Sequence, residues 1–454
     1  GVAELSLGRE DGQGYLWAGG SGRVYRWDPS GLWQQFSAET GLADSHVTCL
    51  FRDREGSLWV GTGQCGLYRF RPHLFHVYHT EAGMNSDVVT SVTQDRQGRM
   101  WFGVNGGGLH EWASGRLKPV TEPALPPSYR LAYSVLADRQ DAVWTGLYGE
   151  TALRLHAGIV TPYKLGDGSS RLMTPQALFE DHAGIIWMGC THSLLRYEGG
   201  HFTRYTCREG LLCDNVVALA EDRSGGLYIG TDGGGLNCLR NGRFTAWTER
   251  DGLADNHLSS LYVDGENTLW IGTLNGGLSR LKKGRFVTIT TQDGLPSNSI
   301  GSLLEDDLGN LWLGSNRGII RVNRQALNDY ADGERRPLAW HVFGLSDGLG
   351  TIGCAEGGQP ACWKAHDGKI WFATIKGVVV VDPHHLPFNP LPPPVVIEEV
   401  VMDDQVYDLQ SSGSQAVAPN LAGSNARGVT NPVPVTRPSG SWNSALAAAL
   451  ASQP

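Results

Sequence analysis

The stretch Asp53-Arg54-Glu55-Gly56-Ser57-Leu58-Trp59-Val60-Gly61-Thr62 decides the fold, because the chain keeps returning to it. Its centre is an apolar residue, an aromatic, any residue and Gly. The same pattern reads Leu16-Trp17-Ala18-Gly19 before it and Met100-Trp101-Phe102-Gly103 after it. It continues at Val143-Trp144, Ile186-Trp187, Leu227-Tyr228, Leu269-Trp270, Leu311-Trp312 and Ile370-Trp371, nine copies in all. The aromatics are 42, 42, 43, 43, 41, 42, 42 and 59 residues apart. A helical repeat of this length needs apolar stripes every 3.6 residues. These segments instead alternate and are rich in Val, Leu, Trp and Thr. A period near 42 is that of a four-stranded β-propeller blade, about 40–45 residues.

The second copy shows how each divides. Strand a is expected at 47–52, a turn at 53–56, strand b at 57–62, strand c at 67–70 and strand d at 76–79, with 81–85 crossing to the next copy. Six residues before the aromatic stand Asp11, Asp53, Asp95, Asp138, Asp181, Asp222, Asp264 and Asp306; only the last copy departs, with Ala365. Three before it stands Gly, replaced by Asp141 and Asn267, residue types that tolerate a positive φ. The unit is a hairpin turn capped by its own Asp. Calcium would need several oxygen ligands in one loop, and each loop usually offers one. Ten residues before the aromatic the side chain is small: Cys49, Ser91, Ser134, Ala177, Ala218, Ser260, Ser302 and Ala361. Small residues suit inner strands crowded at an axis, and the Trp series suits packing of blade on blade.

Composition agrees. The 454 residues hold 61 Gly and 15 Trp, with 41% hydrophobic and 18% charged residues. Gly is about twice its usual ~7% share. The net charge of −9 argues against nucleic acid as the main partner. No apolar run reaches the ~18 residues of a membrane helix. The chain opens Gly1-Val2-Ala3-Glu4 and reads as a mature or excised piece.

Blocks such as 222–236, together with Asp251-Gly252-Leu253, Asp293-Gly294-Leu295 and Asp347-Gly348-Leu349, resemble two-component regulator propeller repeats. The closing 368–372, Lys376-Gly377-Val378 and Asp382-Pro383 are similar to that family's final blade, and 392–397 to the start of its following β-sandwich. The resemblance covers about residues 1–409. It implies a periplasmic or extracellular sensor region of a bacterial hybrid two-component receptor, with the kinase region outside this chain and membrane attachment only through absent segments.

The expected architecture is all-β: a single propeller of four-stranded blades over 1–390, nine blades in one ring, with eight as the alternative. Residues 391–409 would begin a β-sandwich or supply a closing strand through 395–401. Residues 410–454 read as a low-complexity disordered tail. The long last step places an insertion around Asn328–Pro337.

Recognition is expected on the face carrying the d–a and b–c loops, because the other face is occupied by the stereotyped Asp turns. The candidate ligand-binding residues are His46, Asp87, Asn215, His257 and Asn298 at strand a starts, and Asn105, Asp232, Asn275, Asn316 and Arg317 in b–c loops. The bland alternative is that Asn and Asp merely cap these loops. His46 and His257 occupy equivalent positions, but a shared metal lacks further ligands, so neither metal nor cofactor is expected. There is no nucleophile elbow, phosphate loop or zinc-protease motif. The function expected is a non-enzymatic ligand-binding propeller, with a small carbohydrate-like ligand. The alternatives are a polysaccharide lyase or hydrolase, and a structural or adhesive module. An oxidising compartment would allow Cys207 to pair with Cys213, and Cys354 with Cys362.

Overall fold

The computed structural model describes residues 7–408 apart from 11–15, 21–22, 28–32, 38–45, 54–56, 71–72, 122–126, 167–172, 335, 356–357, 387–398 and 403–404. The turn at Asp11 and the expected tail at 410–454 lie outside the described residues, as does most of the proposed closing strand at 395–401. Two compact units divide at residue 389/390, and the second is described by one hairpin, Glu399–Met402 with Gln405–Asp408.

Each copy of the repeat becomes one antiparallel sheet, so the all-β class and the propeller blade are both realised. The second copy's strands are Val47–Arg52, Leu58–Thr62 and Leu67–Phe70, close to the bounds read from sequence. The turn Asp does two jobs. In the third copy Asp95 Oδ1 accepts the amides of Gln97 and Arg99 at 3.0 and 2.9 Å, and Asp95 Oδ2 accepts Trp101 Nε1 at 2.8 Å. The same indole bond forms from Trp59, Trp144, Trp187, Trp270 and Trp312. Both carboxylate oxygens are therefore engaged by the turn, and a buried indole N–H finds the partner it needs. In the last copy Ala365 supplies no acceptor, and Trp371 Nε1 is buried with no partner.

The Gly two residues after the aromatic is explained by its neighbour. A Cβ on Gly272 would lie 2.3 Å from Ser260 Oγ and 2.5 Å from Ile300 O of the following blade. Small side chains on strand a and Gly on strand b let adjacent blades approach. Within the ring the Trp then packs onto the next blade: Trp144 against Leu178 and Met188, Trp270 against Leu303 and Leu313.

Among the described residues the repeats form nine sheets, eight of four strands and one of three, but one ring does not contain them all. The expectation of a nine-membered ring, or an eight-membered one, is corrected to seven. Blades 1 to 7 span 89–119, 132–164, 175–205, 216–247, 258–289, 300–343 and 362–381. Trp371 of blade 7 packs against Val92, Met100 and Phe102 of blade 1. His366 N donates to Gln94 Oε1 at 2.8 Å across the same junction. Blade 7 is completed by Phe75–Tyr78, whose Phe75 pairs with Val381 and Tyr78 with Val378. This strand was expected to finish the second copy, and 395–401 was expected to close the ring. Instead the segment just before blade 1 closes it, which ties the ring's two ends together. A repeat period specifies a blade, whereas the number of blades around an axis depends on which strand completes the last sheet.

The first two sheets share their own core of Trp17, Val24, Val47, Leu58 and Val60. Leu67 is 62% exposed there, whereas its equivalents Leu109, Leu236 and Leu278 are buried in the ring. The long last step holds a helix, α1 (Arg324–Asp332), between strands c and d of blade 6. Asn323 caps it by accepting Ala326 N at 3.0 Å, and Gly333 ends it at φ 115°.

Residues 358–360 cross the ring's axis. Gln359 forms a parallel bridge with Ala177 on strand a of blade 3. Pro360 O accepts Val92 N of blade 1 at 2.7 Å. A Cβ on Gly358 would lie 2.4 Å from Tyr133 O and 2.5 Å from Thr90 O, so only Gly fits.

Candidate functional site

The loops entering each strand a share a device that settles part of the candidate set. Asp87 Oδ1 accepts Thr80 N at 2.9 Å, and Asn298 Oδ1 accepts Thr291 N at 2.9 Å. Asp214 and Asn256 do the same for Cys207 N and Glu249 N, at 2.6 and 3.0 Å. Each side chain closes its own loop onto an amide seven residues earlier. For Asp87 and Asn298 the capping role accounts for the side-chain oxygen.

A different set meets between blades 3, 4 and 5. Gln176 Nε2 donates to Asn215 Oδ1 at 2.8 Å. Asn215 Nδ2 donates to Asp232 Oδ2 at 3.1 Å. His257 Nδ1 meets Asp232 Oδ1 at 2.6 Å. Three candidates, Asn215, Asp232 and His257, are thus joined in one hydrogen-bonded line at the channel mouth. The Asp232 carboxylate, assisted by the charges of Asp255 and Glu249, raises the His257 imidazole above its ordinary range. The His257 side chain remains half-exposed, so this pair stays open to solvent.

Asn215 also lines an open cleft of about 480 Å³ with Tyr148, Thr174, Thr191, His192, Cys213 and Asp214. Tyr148 is exposed and its ring stacks with Tyr133, centroids 6.2 Å apart. Thr174 and Thr191 are held by backbone, Gly149 N to Thr174 Oγ1 and Thr174 N to Thr191 Oγ1, both at 3.2 Å. The cleft offers an aromatic face beside hydroxyl, amide, imidazole and carboxylate groups.

The remaining candidates do not join this cluster. His46 lies on the N-terminal sheets, outside the ring, so it does not face His257 across the channel. Asn105 is on blade 1, in a bridge with Leu131. Asn275 is exposed on blade 5, its amide donating to Asp255 Oδ2 at 3.2 Å. Asn316 on blade 6 accepts Ser297 Oγ at 2.8 Å, and Arg317 beside it is exposed. Sequence reasoning missed Gln176, which reads as an ordinary strand residue, and the cleft's Thr174, Thr191 and Cys213. It also missed Gln359, although its signal was present. Seven residues separate Leu211 from Ala218, Leu253 from Ser260 and Leu295 from Ser302, but twelve separate Leu349 from Ala361.

Neither pairing that an oxidising compartment would allow is formed: no disulfide joins Cys207 to Cys213 or Cys354 to Cys362. Burial first, then Asp214, pushes the Cys207 thiol up to about 11. Among the described residues no group of three or more His, Cys, Asp or Glu side chains is arranged to hold a metal, and no helix is long and apolar enough to cross a membrane.

Five stretches, 41–64, 83–106, 210–233, 252–275 and 294–317, match the family described as two component regulator propeller. No curated protein matches the sequence. Among solved structures, the chain is similar to the extracellular domain of the proposed hybrid two component system BT3049 from B. thetaiotaomicron, with TM-score 0.63 and 20% identity. That likeness covers 91% of this chain and 60% of the other. The corresponding domain of BT4673 from the same organism gives TM-score 0.55 and 15% identity, over 89% and 55%. A catalytically inactive virginiamycin B lyase from Staphylococcus aureus with quinupristin gives TM-score 0.51 and 13% identity, over 68% and 98%. At these identities the likeness is one of fold. The chain spans no more than about 60% of the length of these two extracellular domains.

Proposed function

We propose, for a chain that belongs to the two component regulator propeller family, the role of a ligand-binding sensor region. Its place is outside the cytoplasm of a bacterium, and its signalling output is a kinase region beyond these residues. The ligand we propose is a small glycan fragment. The observation that carries this reading is the cleft at Tyr148, continuous through Asn215 with the Asp232–His257 pair. Sugars present apolar ring faces and many hydroxyls. An exposed aromatic with a few fixed donors and acceptors is the complement they require. Asp232 and Asn215 are held by one another, so little ordering is needed on binding. The repeated scaffold on the opposite face has its carboxylates engaged by turn amides and indoles, which leaves the loop face for recognition.

The test is a glycan library screened at once for thermal shift and for product. Shift without product supports a sensor. The ligand found is then titrated calorimetrically against the Asn215→Ala and Tyr148→Ala variants, each expected to weaken binding by at least tenfold, about 1.4 kcal/mol. Affinity unchanged in both variants overturns the placement. Product formation would instead favour a lyase or hydrolase, in which the Asp232–His257 pair is the first place to look for a general base. Neither shift nor product would favour a structural module.

A further inference from the structure

We propose that Gln359 is a positioning residue for the channel-mouth cluster. In this account the 358–360 segment and the cleft form one mechanical unit that belongs to the ring's closing blade. The proposal uses the ligand reading above only for its consequence; the argument rests on hydrogen bonds within the chain.

Gln359 is held at both its backbone and its side chain. Its N donates to Gln176 O at 2.8 Å, and its O accepts Leu178 N at 3.4 Å. Its side-chain Oε1 accepts Leu219 N, and its Nε2 donates to Leu219 O, both at 2.6 Å. The backbone extends blade 3 as a further strand would, while the side-chain amide imitates a peptide against blade 4. Gln alone suits this role. It carries a donor and an acceptor on one planar end, at the reach the gap requires; Glu has no donor, and Asn is one methylene shorter. Strand a is the inner edge of every blade, and its outward amides would otherwise face the channel unpaired.

Gln176 joins the segment to the cluster. Its carbonyl receives Gln359 N, and its side chain donates to Asn215 Oδ1 at 2.8 Å. The bonded line therefore runs from Gln359 through Gln176 and Asn215 to Asp232 and His257. A second route passes through Tyr133, whose carbonyl crowds Gly358 and whose ring stacks with Tyr148 in the cleft. At its other end the segment continues into blade 7, where Ala361 O accepts Ala373 N at 2.8 Å. A ligand that pulls on Asn215 or displaces Tyr148 thus acts on groups that hold the last blade's entry loop, a route from the mouth to the blade that closes the ring.

The experiment uses the full chain without ligand. Amide exchange of Leu219 and Leu178 reports the segment. The Asn215 side-chain amide resonance and the His257 titration midpoint report the cluster; the acids facing that imidazole are Asp232, Asp255 and Glu249. Gln359→Ala is expected to speed Leu219 exchange at least tenfold, to shift the Asn215 resonance and to move the His257 midpoint. Gly358→Ala, which keeps the Gln359 side chain but adds a Cβ against two carbonyls, is expected to do the same. If Gln359→Ala does not fold, Gln359→Glu replaces it. Faster Leu219 exchange with unmoved Asn215 and His257 signals overturns the proposal and leaves Gln359 a local filler. Because no ligand enters the experiment, its failure is separate from any failure of the glycan reading.

Discussion

The seven-bladed ring and the two N-terminal sheets are built from the same repeat, yet they differ in how much of it they bury. Trp270 and Trp312 are wholly buried in the ring, and every blade there has a neighbour on both sides. In the N-terminal pair Leu67 and Phe51 are exposed at 62% and 57%, and the second sheet has three strands. The difference lies in partners rather than in residue types. A blade cannot bury both faces by itself, so identical local chemistry yields unequal stability depending on what it is stacked against. It also shows that the short strand Phe75–Tyr78, which follows the N-terminal sheets in sequence, belongs energetically to the other end of the ring.

That contrast can be broken most forcefully at Phe75, which is buried and meets Phe343 edge-on at 5.2 Å. Phe75→Ala should cost about 3–5 kcal/mol. The loss should appear as faster exchange throughout the ring in hydrogen-exchange mass spectrometry, with the first two sheets unchanged. Loss confined to residues 7–70 would assign the strand to the wrong region.

A pair of equivalent tryptophans sharpens the comparison. Trp187→Ala should cost about 3–5 kcal/mol in urea denaturation, since its ring fills the junction with Leu219, Leu227 and Ile229. Trp59→Ala, at the same repeat position but only half-buried, should cost about 1 kcal/mol. Equal costs would mean the two environments are energetically alike.

The turn carboxylate can be removed or supplied. Asp264→Ala takes the acceptor from buried Trp270 Nε1 and from two turn amides, and should cost about 1–3 kcal/mol. Ala365→Asp restores the missing residue in blade 7 beneath the unpartnered Trp371 Nε1, and should add about 1 kcal/mol. A destabilised Ala365→Asp would show that blade 7 cannot accommodate the shared turn.

The smallest effect is one of pH. His110 is fully buried, and its Nε2 accepts Asn85 N at 3.2 Å. Burial pushes its imidazole pKa down, so the folded form resists protonation while the unfolded chain takes a proton near ~6.5. The stability this neutral His contributes is present above that value and is lost as pH falls towards the folded pKa. Denaturation midpoints of the wild type should fall relative to His110→Gln on acidification from pH 7 to 5. Parallel profiles would remove His110 from the account.

Much of the blade was legible in the sequence because its chemistry is local. The Asp turns, the small residue on strand a and the Gly on strand b each answer to contacts within one or two adjacent blades. Strand Val47–Arg52 was readable to the residue. Ring closure was not, because Phe75–Tyr78 has the same alternation whichever sheet it joins. The site was legible in part for a similar reason. Asn215, Asp232 and His257 are polar residues in the right loops, but Asp87 and Asn298 have the same appearance and spend their oxygens on loop amides. Gln176 and Gln359 act through contacts between blades, which no window of sequence contains; only the lengthened loop before Ala361 pointed to the second of them.

The most direct test of the central claim, that seven blades close on Phe75–Tyr78, is the thermal unfolding of residues 73–386 produced without the first two sheets. The account predicts a single cooperative transition at the temperature of the ring's transition in the full chain, with Leu219 as protected as in the intact protein. A fragment that shows no cooperative unfolding, while the full chain does, would contradict it and return the first two sheets to the ring.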